Sequence, residues 1–148
     1  MFAINNKTDY GLLLISQLRE RTEYTSLSRL VQETKLPQRF IARIAAELVK
    51  AGILVSREGK VGGYKIVKDL HDISLMEYLE YFEDKLEMVK CTDEGYDCKF
   101  AGICQHAVSF KTKLNSIVRT ELSKWTLADF MNKTQPMSLR AERSNLVK

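Results

Sequence analysis

Between Pro37 and Val67 the apolar pattern changes period, and that change constrains the fold more than anything else in the chain. Phe40, Ile41, Ile44, Ala45, Leu48 and Val49 recur at the 3.6-residue spacing of a helix over about 37–51. Gly52 follows in the place of a helix-ending C′ residue. Ile53-Leu54-Val55-Ser56-Arg57 and Tyr64-Lys65-Ile66-Val67 then read as two strands. Between them lies Glu58-Gly59-Lys60-Val61-Gly62-Gly63, a glycine-rich basic hairpin tip. Upstream, Tyr10, Leu12, Leu13, Leu14, Ile15 and Leu18 form the apolar face of a helix over about 8–20, with Thr8 as its expected cap. A shorter helix is expected from Ser26, as cap, to Thr34, with Leu27, Leu30 and Val31 inward. Leu36-Pro37 makes the turn, and Pro37 is expected at the first position of the third helix. Three helices and a hairpin, in that order, make a winged helix-turn-helix.

The outward face of the third helix carries Gln38, Arg39, Ala42, Arg43 and Glu47. Arg can pair bidentately with guanine and Gln with adenine, and the start of this helix is what meets base edges in a helix-turn-helix. Arg57, Lys60 and Lys65 bring positive charge to the wing. Gly62 and Gly63, before Tyr64, permit positive φ and close backbone approach to a phosphate or minor groove. The cap at Ser26 is a further phosphate contact in this reading. Charge agrees: residues 1–70 hold 12 Lys/Arg against 7 Asp/Glu, whereas 71–148 hold 11 against 12. The expected partner of the basic half is double-stranded DNA.

With 45% apolar and 28% charged residues over 148 positions, the chain has an ordinary globular balance. No uninterrupted apolar run exceeds the length of Leu12–Ile15, far below the roughly 20 residues of a membrane span. The first residues show no basic stretch leading into an apolar one, so no secretion signal is expected and a cytoplasmic location is. Three cysteines are too few for a disulfide scaffold.

The second half has another task. Ser74-Leu75-Met76-Glu77 has capping-box form and opens a helix to about Glu83. Glu77, Glu80, Glu83, Asp84 and Glu87 make this the acidic part, read as a solvated face. All three cysteines then fall in one polar loop, Cys91, Cys98 and Cys104, spaced C-x6-C-x5-C, with His106 close behind. Thiolates and an imidazole so close together point to metal ligation. Structural zinc is the rival, but zinc sites favour short pairs such as C-x2-C, which are absent, and wide loops suit a larger cluster. A cysteine enzyme built on Cys104 and His106 is disfavoured, because helical residues two apart point to different sides and no orienting third group is visible. From about 106 to 125, Phe110, Leu114, Ile117, Val118, Leu122 and Trp125 form one apolar stripe, part of which is expected to face another subunit. The expected organisation is a DNA-binding domain over 1–70, a cluster loop and dimerisation helices over 71–132, and a flexible tail over 133–148.

Thr8-Asp9-Tyr10-Gly11-Leu12, the run Leu48 to Leu54, Val61-Gly62-Gly63-Tyr64, the three-cysteine loop and Thr126-Leu127-Ala128-Asp129 together resemble the iron–sulfur winged-helix regulators of the IscR/NsrR type, over about residues 1–132. The resemblance implies a mainly α fold with a small β-hairpin and a long C-terminal dimerisation helix. It implies a homodimer that represses transcription from operator DNA, with cluster state responding to nitric oxide, redox state or iron. It also implies that Cys91, Cys98 and Cys104 hold a [2Fe-2S] or [4Fe-4S] cluster. The fourth ligand is then either the partner subunit's Asp9 or His106. The alternative is a zinc-stabilised or cluster-free winged-helix regulator that answers to a small molecule.

Overall fold

A computed structural model describes residues 4–83, 86, 97, 99–100, 102–104 and 107–131. Three helices come first: α1 (Asn6–Leu18), α2 (Leu27–Thr34) and α3 (Gln38–Lys50). Strands β1 (Leu54–Arg57) and β2 (Gly63–Ile66) pair antiparallel, with Leu54 opposite Ile66 and Arg57 opposite Gly63. A 3-10 turn (Leu70–Asp72) leads into α4 (Leu75–Phe82), and α5 (Ala107–Ser123) and α6 (Leu127–Met131) complete the described elements.

The helix boundaries follow from local capping, and two differ from the sequence expectation. Asn5, not Thr8, caps α1: its side chain accepts from the Lys7 and Thr8 amides at 2.8 and 3.1 Å. Asn is among the strongest N-caps, so the helix begins two residues earlier than the apolar period shows. Thr8 lies inside the helix and is fully buried. Pro37 stands one position outside α3 rather than in its first turn, with ψ of 136°, and its carbonyl accepts from the Phe40 and Ile41 amides. Ser26 and Ser74 cap α2 and α4 through their hydroxyls. Gly52 ends α3 with φ of +71°, the left-handed conformation that glycine adopts without strain.

One apolar cluster holds the winged unit together. Leu14, Ile15 and Leu18 of α1 meet Leu30 of α2, Ile41, Ile44, Ala45 and Leu48 of α3, and Ile53 and Leu54 behind β1. Ile73, Tyr78, Phe82 and Leu127 join the same cluster, so residues beyond 70 share this core. Met76, Leu79 and Leu86 form a smaller second cluster against which Leu122 of α5 packs. The stripe read along 106–125 therefore divides: Leu122 faces α4, whereas Phe110 and Ile117 are 58% and 62% exposed. Trp125 lies past the end of α5, where its carbonyl accepts the Leu75 amide at 2.7 Å. No helix among the described residues is long and apolar enough to cross a membrane.

Candidate nucleic-acid interface

Helix α3 buries one face and offers the other. Ile41, Ile44, Ala45 and Leu48 point into the core, and Gln38, Arg39 and Arg43 are exposed at its N-terminal half. No side chain caps this end, and the positive end of the α3 dipole falls in the turn that carries Gln38 and Arg39. The Tyr10 ring meets Phe40 edge-on at 4.8 Å and fixes the first turn of α3 against α1.

The wing carries further basic residues. Arg57 and Lys60 are exposed near its tip, and Lys65, opposite Val55, is half-buried. Tyr24 was not read from the sequence as part of the site, yet its ring lies 5.7 Å below the Arg57 guanidinium in a cation–π contact. The next residue, Thr25, exchanges two backbone hydrogen bonds with Tyr64, each 2.9 Å, and so ties the wing to the entrance of α2. Ser26, Ser56, Arg57, Gly62, Gly63 and Tyr64 line a cleft of about 350 Å³ between that entrance and the wing.

This strand-like join explains the two glycines. A Cβ on Gly63, whose φ is +140°, would sit 2.1 Å from the Thr25 carbonyl oxygen, and one on Gly62 would sit 2.1 Å from that of Arg57. Both glycines thus serve the close packing of protein backbone, and Gly62 is buried. Tyr64 is half-buried, packs on the core and anchors the wing through its main chain.

Two carboxylates of the described residues are held by basic partners. Glu33 accepts from Arg29 Nε at 3.0 Å and from Arg21 at 2.7 Å, and these two guanidiniums hold its carboxyl below the ordinary value. Glu77, expected to be solvated, instead accepts from Lys68 at 2.7 Å and from the Tyr81 hydroxyl at 3.1 Å. Lys68 is the main reason its carboxyl is also held low.

Of the candidate metal ligands, Cys91, Cys98 and His106 lie outside the described residues. Cys104 is a half-buried free thiol whose amide donates to the Phe100 carbonyl at 2.9 Å. Asp9 is exposed in the first turn of α1. Among the described residues no three His, Cys, Asp or Glu side chains converge as metal ligands.

A recognition helix with a basic open end, a wing locked to the entrance of the preceding helix, and a shared three-helix core define a winged-helix DNA-binding protein. The chain belongs to the Rrf2 family, described as iron-dependent transcriptional regulators, whose profile matches residues 4–133. It is a transcriptional regulator, not an enzyme. Its fold is that of solved winged-helix regulators. CymR (YrzC), the global cysteine regulator of B. subtilis, is 22% identical with a TM-score of 0.69, over 91% of this chain and 100% of that one. A protein from Listeria innocua is 23% identical with a TM-score of 0.73, over 93% and 92%. IscR of T. potens is 22% identical with a TM-score of 0.57, over 99% and 93%.

Proposed function

We propose that the chain binds operator DNA as a homodimer and that an iron–sulfur cluster on its cysteine loop sets the strength of that binding. The observation that carries the DNA part is the joint exposure of Gln38, Arg39 and Arg43 on α3 with Arg57 and Lys60 on the wing. Gln38, Arg39 and Arg43 read bases; Lys60, Lys65 and the Ser26 cap position the protein on phosphates; Arg57 probes the minor groove. Exposed Phe110 and Ile117 on α5 suit a face shared with a second copy. The chemistry of three soft thiolates fits a cluster, and the half-buried Cys104 thiol is available to it. Cys91, Cys98 and Cys104 hold it, with the partner subunit's Asp9 preferred over His106 as the fourth ligand. When bound, the cluster supplies a redox- and nitric-oxide-reactive centre, and the family's description as iron-dependent supports iron over zinc.

Anaerobic purification should yield a brown protein containing iron and sulfide. Replacing all three cysteines by serine should remove the colour and shift operator affinity by about a hundredfold, a coupling of about 2.7 kcal/mol. A colourless protein that contains zinc, or a serine variant with unchanged affinity, rejects the cluster. Lys60→Ala should weaken binding to every duplex alike and lower the slope of log affinity against log salt by about one. An unaltered slope removes the phosphate role.

A second reading has its own observation. A cavity of about 450 Å³, lined by Arg19, Ile66, Lys68, His71, Ala128 and Met131, opens between the end of α1, the segment after the wing, and α6. In a cluster-free regulator this cavity would hold the small effector. Operator binding that responds to a metabolite and survives the triple serine change would select this reading.

A further inference from the structure

Glu83, where α4 ends, holds the start of α1. Its Oε1 accepts the Asn5 amide at 2.9 Å and the buried Thr8 hydroxyl at 2.5 Å, and its Oε2 accepts from Asn5 Nδ2 at 3.1 Å. Asn5 Nδ2 also donates to the Phe82 carbonyl at 2.8 Å, so the residue that caps α1 is bound on its other side to α4. Beside this, the Tyr78 hydroxyl donates to the Thr8 carbonyl at 2.7 Å. Burial, and secondly the charge of Asp9, push the Tyr78 phenol well above its ordinary range, so it remains a donor. Gly11 completes the junction: a Cβ there would lie 2.3 Å from the Tyr78 oxygen. The Glu83 carboxylate sits at the positive end of the α1 dipole, where a negative charge is favoured.

The other end of this chain of contacts is the reading head. In the second turn of α1, Tyr10 meets Phe40, the neighbour of Arg39 in the first turn of α3. A shift of the start of α1 is therefore transmitted to the helix end that carries Gln38 and Arg39. In sequence, Glu83 is the residue directly after α4, on the side of the chain that runs on to Cys91.

We propose that Glu83 is a positioning residue for DNA recognition. It clamps α1 to α4, sets the pose of α3 through Tyr10 and Phe40, and is the point at which the state of the cysteine segment reaches the reading helix. The last clause rests on the cysteine reading above; the first two do not.

The test uses the full chain, purified anaerobically, with an operator selected by the wild-type protein from random duplexes. Affinity is measured for that duplex and for an unrelated one of equal length, well below the unfolding midpoint of each variant. Glu83→Ala and Glu83→Gln should lower the ratio of the two affinities about tenfold, leaving binding to the unrelated duplex within about twofold. Asn5→Ala should do the same, and the double variant Asn5→Ala/Glu83→Ala should be no worse than either single one. A residue that only supports the fold would lower both affinities together. Should Glu83→Ala not fold, Glu83→Gln carries the decision, and a folded variant with the wild-type ratio overturns the positioning role. For the coupling, serine at Cys91, Cys98 and Cys104 should lower the ratio about tenfold less in Glu83→Ala than in wild type. An equal loss in both backgrounds overturns the link while the cysteine reading stands. A serine variant indistinguishable from wild type overturns the cysteine reading and the link with it, and leaves the positioning role to the Glu83 variants.

Discussion

Gly63→Ala should lower the stability of the chain by about 3 kcal/mol or more, a drop of roughly 6–12 °C in unfolding midpoint for a chain of this size. Two costs combine. Backbone at φ of +140° is strained for any residue with a side chain, at about 1–3 kcal/mol. The added Cβ would also stand 2.1 Å from the Thr25 carbonyl oxygen, and backbone cannot swing aside as a flexible side chain can. Relief requires opening the paired hydrogen bonds between Thr25 and Tyr64, each worth about 1 kcal/mol net. Gly52→Ala and Gly59→Ala are the controls. Both have positive φ, of +71° and +105°, but nothing within 4 Å of a new Cβ, so each should cost only the backbone strain. Thermal unfolding of the three variants decides the matter, and equal losses at all three sites would show that the Thr25 contact contributes nothing. Because the same hydrogen bonds set the angle of the wing, Gly63→Ala should also weaken DNA binding at temperatures where it remains folded.

What the sequence made legible and what it concealed divide along contact distance. The recognition helix and the wing were readable because each announces itself locally, through a 3.6-residue period, a terminal glycine and two short β-rich runs. The caps at Ser26 and Ser74 were readable for the same reason. Gly62 and Gly63 were visible as a motif, but their reason was not. The surfaces they approach are backbone of Arg57 and Thr25, and the Thr25 contact joins segments far apart in the chain. Glu83 was hidden more completely. On a helical wheel it is one more acid of a solvated face, yet its partners are Asn5 and Thr8, the latter 75 residues away. Thr8 was misread in turn: its place at the start of an apolar period suits a cap, but Asn5 lies nearer the first unsatisfied amides. Tyr24 carries no local signal, since a cation–π contact with Arg57 exists only once the wing has folded back over the entrance to α2.

Arg39→Ala and Arg43→Ala should each cost about 1–3 kcal/mol in operator binding, and the double variant should lose most discrimination between operator and unrelated DNA. The two residues lie one helical turn apart on the exposed face of α3, so both can reach the floor of one major groove at successive base steps. Neither forms an ion pair among the described contacts, so replacing them removes no stabilising salt bridge and leaves no buried charge behind. Unfolding midpoints should therefore stay near wild type, which separates these variants from Gly63→Ala. Base reading and phosphate contact are separated by the shape of the loss. A base-reading arginine relaxes preference at one position of the site and spares binding to unrelated duplexes, whereas a phosphate contact weakens all duplexes and lowers the salt slope. Affinities for a panel of single-base operator variants supply the measurement. If Arg39→Ala and Arg43→Ala lower every member of the panel by one common factor, the guanidiniums hold the backbone, and specificity must come from Gln38 and the wing.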